Sequence, residues 1–125
     1  MHPSTWFDLK LKYHYNIIMN TIKFDWDKNK AIRNLTKHKV SFEEAQSVFD
    51  DDFARLIPDP DHSEEEERFI LLGLSCSLKI LIVVHCYKDK ENSIRLISAR
   101  KATKPESKKY KECLLWEKNM TLVIL

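Results

Sequence analysis

The sequence predicts an α+β fold in which helices pack against an antiparallel sheet. Two observations predict this class. Three apolar segments follow one another with only short polar links between them, as in consecutive hairpins. Helical patterns stand before and after this group rather than between its strands. The chain has 125 residues, of which 43% are hydrophobic and 32% charged, so we expect one soluble domain with a single core.

The regular pattern begins with a short strand. Ile22, Phe24 and Trp26 alternate along TIKFDW, which predicts a strand with these side chains on one face. Residues 1–20 show no clear period, and we interpret them as an N-terminal extension of uncertain status. Met19 stands just before the regular pattern and is a candidate for the true start.

Two helices are predicted after this strand. Ile32 and Leu35 recur at helical spacing and predict a helix over residues 27–38. An S-x-x-E capping box begins at Ser41 and is followed by an apolar stripe, which predicts a second helix over residues 41–50.

Further strands and a last helix complete the predicted domain. ARLIPD is a possible strand, and the clear strands are RFILLGLSC, KILIVVHCY and SIRLISARKA. Pro105 suits the first turn of a final helix, whose inner face includes Tyr110 and Leu114. We predict a single domain over residues 21–119 and an apolar tail over residues 120–125 that adds an edge strand or packs on the body.

Charge is distributed unevenly along the chain. Residues 43–67 hold eleven acidic residues and one arginine, whereas residues 94–111 hold seven basic residues and one acid. The basic segment is a candidate nucleic-acid footprint, and two surfaces of opposite charge suggest separate partners. The alternative is a pair of solvated faces that compensate each other.

The basic segment includes a strand in which Arg95 and Arg100 stand among apolar residues. A buried arginine needs an acidic partner or an anionic ligand. Regular alternation places the two arginines on opposite faces, and strong twist, a bulge or a site at the strand end would be needed to bring them together. We expect Arg100 to be the stronger phosphate ligand, since it shares a face with Ser98 and lies nearer the basic run that continues through Lys104. A sealed salt bridge to Arg100 would reverse this choice.

Other features narrow the function classes. No apolar run reaches the roughly 18–20 residues that span a membrane, and the first 20 residues make a poor signal peptide. Three cysteines without CxxC spacing favour a reducing cytoplasm. The loop PDPDHSEEEE lacks the ligand spacing of calcium and zinc sites, so we expect neither metal nor cofactor and interpret the loop as repelling RNA or docking a basic partner.

Several motifs in a fixed order resemble one protein family. They are F-D-W-D, N-x-x-K-H-x-V-S-F-E-E-A, H-S-E-x-E-E-R-F, V-V-H and R-x-I-S-A-R-x-A, within about residues 22–112. They resemble the BrnT-type toxins, ribonucleases of bacterial type II toxin–antitoxin systems. The resemblance implies a RelE-like fold with a curled antiparallel sheet, mRNA cleavage and a BrnA-type antitoxin with a ribbon-helix-helix domain. It implies contact with DNA only indirectly, through that antitoxin.

One position departs from the family pattern. Where the family has glycine after the histidine, as K-H-G-V, this chain has Lys39. Glycine suits the left-handed turn that ends a helix, and lysine in that conformation costs on the order of 1 kcal/mol. The turn is therefore either strained or re-formed, which affects the placement of Lys37 and His38.

The chemistry that the resemblance implies assigns roles to particular residues. Metal-independent RNA cleavage uses the 2′-hydroxyl of the substrate, a base to take its proton and cations to stabilise the phosphate. The candidate catalytic residues are Arg68, Arg95 and Arg100 as phosphate ligands, and His85, His38 and Lys37 as proton carriers. The candidate RNA-binding residues are Lys101 and Lys104, together with Tyr110 and Trp26 as stacking platforms for bases.

Most of these candidates also have an ordinary structural explanation. His85 and Trp26 suit a core, Arg68 suits an ion pair with a preceding glutamate, and Tyr110 suits the packing of the last helix. Lys37 and His38 suit a helix C-terminus through the helix dipole alone. The rival to a ribonuclease is therefore a catalytically inactive protein that binds the antitoxin and modulates operon repression.

Overall fold

Three helices and five strands make up the described part of the chain. The computed structural model describes residues 22–59, 68–88 and 91–124, and only the backbone of residues 117–124. In chain order the elements are β1 (Lys23–Asp25), α1 (Lys28–His38), α2 (Phe42–Ser47), a 3₁₀ turn (Val48–Asp50), β2 (Arg55–Pro58), β3 (Arg68–Leu74), β4 (Ile80–Lys88), β5 (Ser93–Lys101) and α3 (Lys104–Ile124).

This arrangement confirms the predicted α+β class and the order of its elements. The predicted extension over residues 1–20 and most of the acidic loop lie outside the described residues. The last helix continues through Ile124, so the described residues of the predicted apolar tail are helical rather than an edge strand.

The five strands form one sheet in the order β1-β5-β4-β3-β2. Strands β2 to β5 pair in antiparallel fashion, as predicted, and β4 is central. The expectation of a wholly antiparallel sheet is wrong at one edge, where β1 pairs with β5 in parallel. β1, the first strand in the chain, lies beside β5, the last. Their pairing covers only three residues, and side-chain alternation does not indicate strand direction.

One face of the sheet, here called the α1–α2 face, is covered by α1, α2 and the 3₁₀ turn. Its core joins side chains of this helical layer to the alternating inward residues of β3, β4 and β5; they are Val40, Phe42, Ala45, Val48 and Phe49 against Phe69, Leu71, Leu81, Val83, Tyr87, Ile94, Leu96 and Ala99. Ile22, Phe24 and Trp26 pack at the margin of this cluster, as their alternation predicts.

The inward side of α1 differs from the one that its apolar residues suggest. Ile32 and Leu35 are 64% and 50% exposed, whereas Asn34 is buried and Ala31 packs against the core. The predicted helix is present, but its two large apolar residues face away from the core. Asn34 lies on the inward side instead, because its side-chain amide forms hydrogen bonds with backbone groups there.

Asn34 attaches α1 to the edge of β5. Its Nδ2 donates hydrogen bonds to the carbonyl oxygens of Val40 (2.9 Å) and Ala99 (2.8 Å). Its Oδ1 accepts a hydrogen bond of 3.0 Å from the backbone N–H of Ala99. The carboxamide therefore pairs with Ala99 as another strand would, at a site where a buried unpaired backbone group would be costly.

The turn after α1 keeps the left-handed conformation despite the lysine. Lys39 has φ 60° and ψ 29°, and its N–H donates to Leu35 O at 3.0 Å. Of the two outcomes that the sequence left open, the strained one is present. Leu78 and Asn92 also adopt positive φ within the described residues, in the links between the hairpin strands.

The second helix is shorter than predicted and only half of its capping box forms. The hydroxyl of Ser41 accepts from the N–H of Glu44 at 3.1 Å. The carboxylate of Glu44 does not return to Ser41 but accepts a 2.7 Å hydrogen bond from the Ser75 hydroxyl. The α-helix ends at Ser47 and the 3₁₀ turn covers Val48–Asp50, within the predicted range of 41–50.

The opposite face of the sheet, here called the α3 face, is covered in part by α3. Tyr110 is 3% exposed and packs with Leu72 and Ile82, and Leu114 lies against the same cluster. The Tyr110 hydroxyl donates a 2.6 Å hydrogen bond to Asp51 Oδ2, which also accepts from the N–H of Leu74 at 2.8 Å. This confirms the predicted inner face of the last helix.

The only glycine in the chain makes this junction possible. A Cβ atom on Gly73 would lie 2.8 Å from side-chain carbons of Ala54 and Val48 and 3.0 Å from Asp51 Oδ2. Because real Cβ atoms do not approach so closely, the 3₁₀ turn and the residues after it can sit against β3 only where the side chain is absent.

Replacing Asn34 with alanine should lower the free energy of unfolding by about 2–4 kcal/mol, because the buried groups of Ala99 and Val40 lose their partners. Urea denaturation measures the change. Asn29→Ala, at an exposed position of the same helix, is the matched control and should stay within about 0.5 kcal/mol of the parent. Equal effects of the two substitutions would contradict the role of Asn34.

Replacing Lys39 with glycine should raise the free energy of unfolding by about 1 kcal/mol, since glycine adopts the left-handed conformation without the Cβ penalty. Lys37→Gly, inside α1, should instead lower it by about 1 kcal/mol. Thermal and urea unfolding of both variants give the comparison, and a loss of stability in Lys39→Gly would show that the turn is not strained.

Candidate functional site

Three arginines that the sequence proposed for one site share the α3 face. The expectation that Arg95 and Arg100 point to opposite faces is wrong. In the pairing of β4 with β5, Val84 pairs with Ser98 and His85 with Leu96, so Ile97 is an extra residue that forms a β-bulge. The bulge reverses the alternation between Leu96 and Ala99, and Arg95 and Arg100 therefore lie on the same face.

Arg68 and Arg95 lie in one row across the sheet. Arg68 pairs with Cys86, Cys86 with Arg95, and Arg95 with Asp25, so one row crosses β3, β4, β5 and β1. Since neighbouring strands are about 4.8 Å apart, the backbones of the two arginines are about 10 Å apart. Their side chains can both reach one phosphate or two successive phosphates.

Strand alternation adds two lysines that the sequence reading did not single out. Lys88 pairs with Ser93, and Ser93 with Lys23. This row lies two residues along the strands from the Arg68–Arg95 row and is the next row on the same face. Both lysines lie on the α3 face because their strand neighbours Tyr87 and Phe24 pack in the opposite core. Their sequence contexts are ordinary, and only the strand order brings them together.

Arg100 lies at the other end of this face. It pairs with Ile82, four residues along β4 from Cys86, so its backbone is about 13 Å from the Arg68–Arg95 row. The cations therefore form a track along the strands, from Arg100 to Lys88 and Lys23, rather than one cluster. We call this set the cationic track; its members are Arg100, Arg68, Arg95, Lys88 and Lys23.

Each arginine of the track has a carboxylate nearby. Arg68 Nε lies 3.8 Å from Asp59 Oδ2, and among the described residues this buried nitrogen has no hydrogen-bond acceptor. Arg95 Nε lies 3.6 Å from Asp25 Oδ1, with both side chains about half exposed, which makes this a weak pair. The glutamates that precede Arg68 lie outside the described residues.

Arg100 has the strongest pair. Its Nη1 and Nη2 donate to the two carboxylate oxygens of Glu106 at 2.8 and 3.0 Å, and Nη1 also donates to Lys101 O at 3.3 Å. The bidentate bonds raise the pKa of Arg100 and lower the pKa of Glu106 to about 2. The Arg100 side chain is 41% exposed, so the salt bridge is not sealed from solvent. Arg100 therefore stays the stronger candidate phosphate ligand.

A comparison with known families decides what kind of protein carries this track. The model of a family described as "Ribonuclease toxin, BrnT, of type II toxin-antitoxin system" matches residues 26–106, more than half of the chain. The chain belongs to the BrnT ribonuclease toxin family. The matched segment runs from Trp26 to Glu106 and so includes every member of the cationic track except Lys23.

A solved structure shows the same fold. The chain is similar to the ribonuclease toxin BrnT of Brucella abortus, determined at 1.1 Å resolution, with a TM-score of 0.53 and 23% sequence identity. The similarity covers 67% of this chain and 100% of the Brucella chain. No curated protein matches the sequence.

His85 of this BrnT-family chain lies away from the track. It is fully buried on the α1–α2 face, with its ring 4.9 Å from that of Phe49 and 6.2 Å from that of Phe69, measured between centroids. Its Nδ1 is 3.3 Å from Val83 O, and burial lowers its pKa to about 4. The burial of His85 agrees with the core role that the sequence also allowed, because β4 is central in the sheet and Phe49 packs over the ring.

Lys37 and His38 also lie away from the track of this BrnT relative. They form the last turn of α1, where Lys37 is exposed and His38 half-buried, in the helical layer on the other side of the sheet. The three proton carriers that the resemblance suggested are therefore not brought together with the three arginines.

The two candidate stacking residues have structural contacts. Trp26 is half-buried and packs edge-on against Phe42, with the ring centroids 5.8 Å apart. Tyr110 is buried and hydrogen-bonded to Asp51. Lys104 is exposed at the start of α3 near Arg100, and exposed Lys108, Lys109 and Lys111 continue the positive charge along this helix. Lys101 is also exposed, but it pairs with Leu81 of the α1–α2 core, so strand alternation directs it to the face opposite Arg100.

The feature of this BrnT site most clearly missed from sequence is Glu106. Its carboxylate accepts the N–H of Thr103 at 2.8 Å, and its own N–H donates to Thr103 Oγ1 at 3.3 Å, a complete capping box. The pattern T-x-x-E at residues 103–106 is the signal that would have revealed it. Among the described residues no group of three metal-ligating side chains is present, and no helix is long and apolar enough to cross a membrane.

The buried histidine should make stability depend on pH. Below pH 6.5 the unfolded chain protonates His85, whereas the folded chain resists protonation until about pH 4. The free energy of unfolding should therefore fall as pH drops from 6.5, by on the order of 3 kcal/mol over the full window. Urea denaturation between pH 7 and 4.5 measures the slope.

His85→Phe, which keeps the aromatic contacts, should flatten this slope. If His85→Phe retained the slope of the parent, another group would be responsible for it.

Proposed function

We propose that this chain is an endoribonuclease toxin that cleaves mRNA on the α3 face without a metal ion. The observation that carries the proposal is the cationic track, which a single β-bulge assembles on one open side of the sheet. Membership of the BrnT family supports the ribonuclease class. We also propose that the sheet and its helices correspond to a RelE-like arrangement.

The track suits a reaction in which the RNA supplies its own nucleophile. The 2′-hydroxyl attacks the adjacent phosphorus, the bond to the 5′-oxygen breaks, and the proton lost from the first oxygen is balanced by one gained at the second. Negative charge grows on the phosphate oxygens during this step, and fixed guanidinium groups stabilise it. In this proposal Arg100 and Arg95 contact the reacting and neighbouring phosphates, and Arg68 supports Arg95 from the same row.

The other cations extend the contact with the RNA backbone. Lys104 lies at the start of α3 near Arg100, and Lys88 and Lys23 lie beyond Arg95. Lys101 follows Arg100 on β5 and is directed to the opposite face, so it makes no contact on the track in this proposal. Contacts of this kind bind any sequence and weaken with salt. His85 in this proposal supports the core, and Lys37 and His38 make no contact with the phosphate that Arg100 binds.

Membership of a type II toxin family implies an antitoxin partner. Type II systems include a protein antitoxin, and we propose that the one for this chain is of the BrnA type with a ribbon-helix-helix domain. Any contact with DNA then passes through the antitoxin. A toxin that cleaves mRNA acts where mRNA is translated, so we propose that it works in the cytoplasm.

One observation favours a second candidate function. All three arginines of the track have a carboxylate neighbour, as structural arginines do. The alternative is a catalytically inactive chain that binds the antitoxin and modulates operon repression. The partial exposure of the Arg95 and Arg100 side chains, 50% and 41%, favours the ribonuclease, because both can still contact a ligand while they are paired.

The purified chain should cleave single-stranded RNA in EDTA, and Arg95→Ala and Arg100→Ala should each reduce kcat/KM by about a hundredfold. Arg33→Ala removes the same charge from an exposed position on α1 and is the matched control, with at most a small change expected. Gel-based cleavage kinetics at fixed salt provide the measurement.

Expression in bacteria separates the two functions. Growth arrest that a coexpressed antitoxin reverses, and that Arg100→Ala abolishes, supports the ribonuclease. Unaffected growth together with retained antitoxin binding would replace it with the inactive alternative.

A further inference from the structure

We propose that Glu106 is a positioning residue that holds Arg100 with the Nε–Nη2 edge of its guanidinium open to an RNA phosphate. The inference rests on the proposed function, because it explains how one phosphate ligand of that site is oriented. Glu106 itself makes no contact with RNA in this proposal and acts only through Arg100.

The first step is the count of donors on Arg100. A guanidinium has five N–H groups, two on each Nη atom and one on Nε. Nη1 donates to Glu106 Oε1 and to Lys101 O, so both of its hydrogens are used. Nη2 donates to Glu106 Oε2, which uses one of its two hydrogens. One hydrogen on Nη2 and the hydrogen on Nε remain.

The second step is the geometry of the two remaining donors. In a planar guanidinium the carboxylate that bridges Nη1 and Nη2 leaves the outer Nη2 hydrogen parallel to the Nε hydrogen. These two form the second bidentate edge of arginine, which matches two oxygens of a phosphate. Glu106 occupies one edge of Arg100 and leaves the other edge available.

The third step is access to that edge. Arg100 Nε has no acceptor among the described residues, yet it is not one of the buried unpartnered nitrogens. It therefore reaches solvent, in agreement with a side chain that is 41% exposed. This distinguishes Arg100 from Arg68, whose Nε is buried.

The fourth step is the rigidity of Glu106. Thr103 fixes it through both halves of the capping box, at the first turn of α3. Tyr110, four residues or about one turn after Glu106, anchors the same helix to Asp51. A long, flexible arginine side chain is thus held by a carboxylate that is itself attached to the fold, which reduces the ordering needed when RNA binds.

The test compares Glu106→Ala and Glu106→Gln with Glu112→Ala in the full chain. Glu112→Ala removes a carboxylate from an exposed position of the same helix, where it forms an ion pair with Lys108, and it leaves the Arg100–Glu106 pair in place. We expect Glu106→Ala to lower kcat/KM for RNA cleavage by about 10- to 100-fold. Glu106→Gln should fall between it and the parent, and Glu112→Ala should stay within about twofold of the parent.

A double-mutant cycle separates positioning from a general structural effect. If Glu106 acts through Arg100, Glu106→Ala should have no further effect on kcat/KM in an Arg100→Ala background. The effect of Glu112→Ala should be the same in both backgrounds. Urea denaturation of every variant shows whether it is folded under the assay conditions.

A binding measurement provides a readout independent of cleavage. The NMR signal of the Arg100 Nε–H group should shift when a 2′-deoxy oligonucleotide, which the proposed mechanism cannot cleave, is added to the parent. The shift should be much smaller in Glu106→Gln. If the parent cleaves no RNA, the proposed function fails, and this measurement still decides the inference.

Three results would overturn the role of Glu106. The first is parental kcat/KM in folded Glu106→Ala, and the second is a loss that persists undiminished without Arg100. The third is an Nε–H signal that responds to the oligonucleotide equally in the parent and in Glu106→Gln.

Discussion

The extra residue at Ile97 is the constraint on which the two faces of this sheet depend. Up to Leu96, β5 directs alternate side chains into the α1–α2 core, and after the bulge the assignment is reversed. The reversal lets Ala99 enter that core and pair with Asn34, which attaches α1. The same reversal sends Arg100 to the face that already carries Arg95. Packing of the helical layer and assembly of the cationic track are therefore two results of one backbone irregularity.

The sheet also separates two kinds of charge. The buried histidine is enclosed by aromatic rings on one side, where burial keeps it neutral over the physiological range. The arginines on the other side are each near a carboxylate, and Arg95 and Arg100 remain partly exposed, whereas Arg68 Nε is buried. The chain belongs to the BrnT family, and in the proposed function the exposed groups of Arg95 and Arg100 are the ones that contact the RNA backbone.

Sequence reasoning recovered the elements and missed the positions that depend on long-range contacts. Strand segments, both N-terminal helices and the inner face of the last helix follow from periodicity, because period reports local burial. The side of α1 that faces the core does not follow from periodicity. Ile32 and Leu35 have the spacing of buried residues but are exposed, whereas Asn34 is buried because it hydrogen-bonds to the backbone of Ala99. The bulge left no local signal, so the arginines were assigned to opposite faces. Lys23 and Lys88 became neighbours only through the parallel pairing of β1 with β5, which no alternation pattern encodes.

Gly73 shows that a residue on one face of the sheet can affect the cationic track on the other face. The space it leaves brings the 3₁₀ turn close to β3, where Asp51 reaches both the Leu74 N–H and the Tyr110 hydroxyl. Tyr110 fixes the position of α3 on the sheet, and Glu106 in the first turn of α3 accepts hydrogen bonds from Arg100. The absence of one side chain is thus connected, through Asp51, Tyr110 and Glu106, to Arg100 on the opposite face of the sheet.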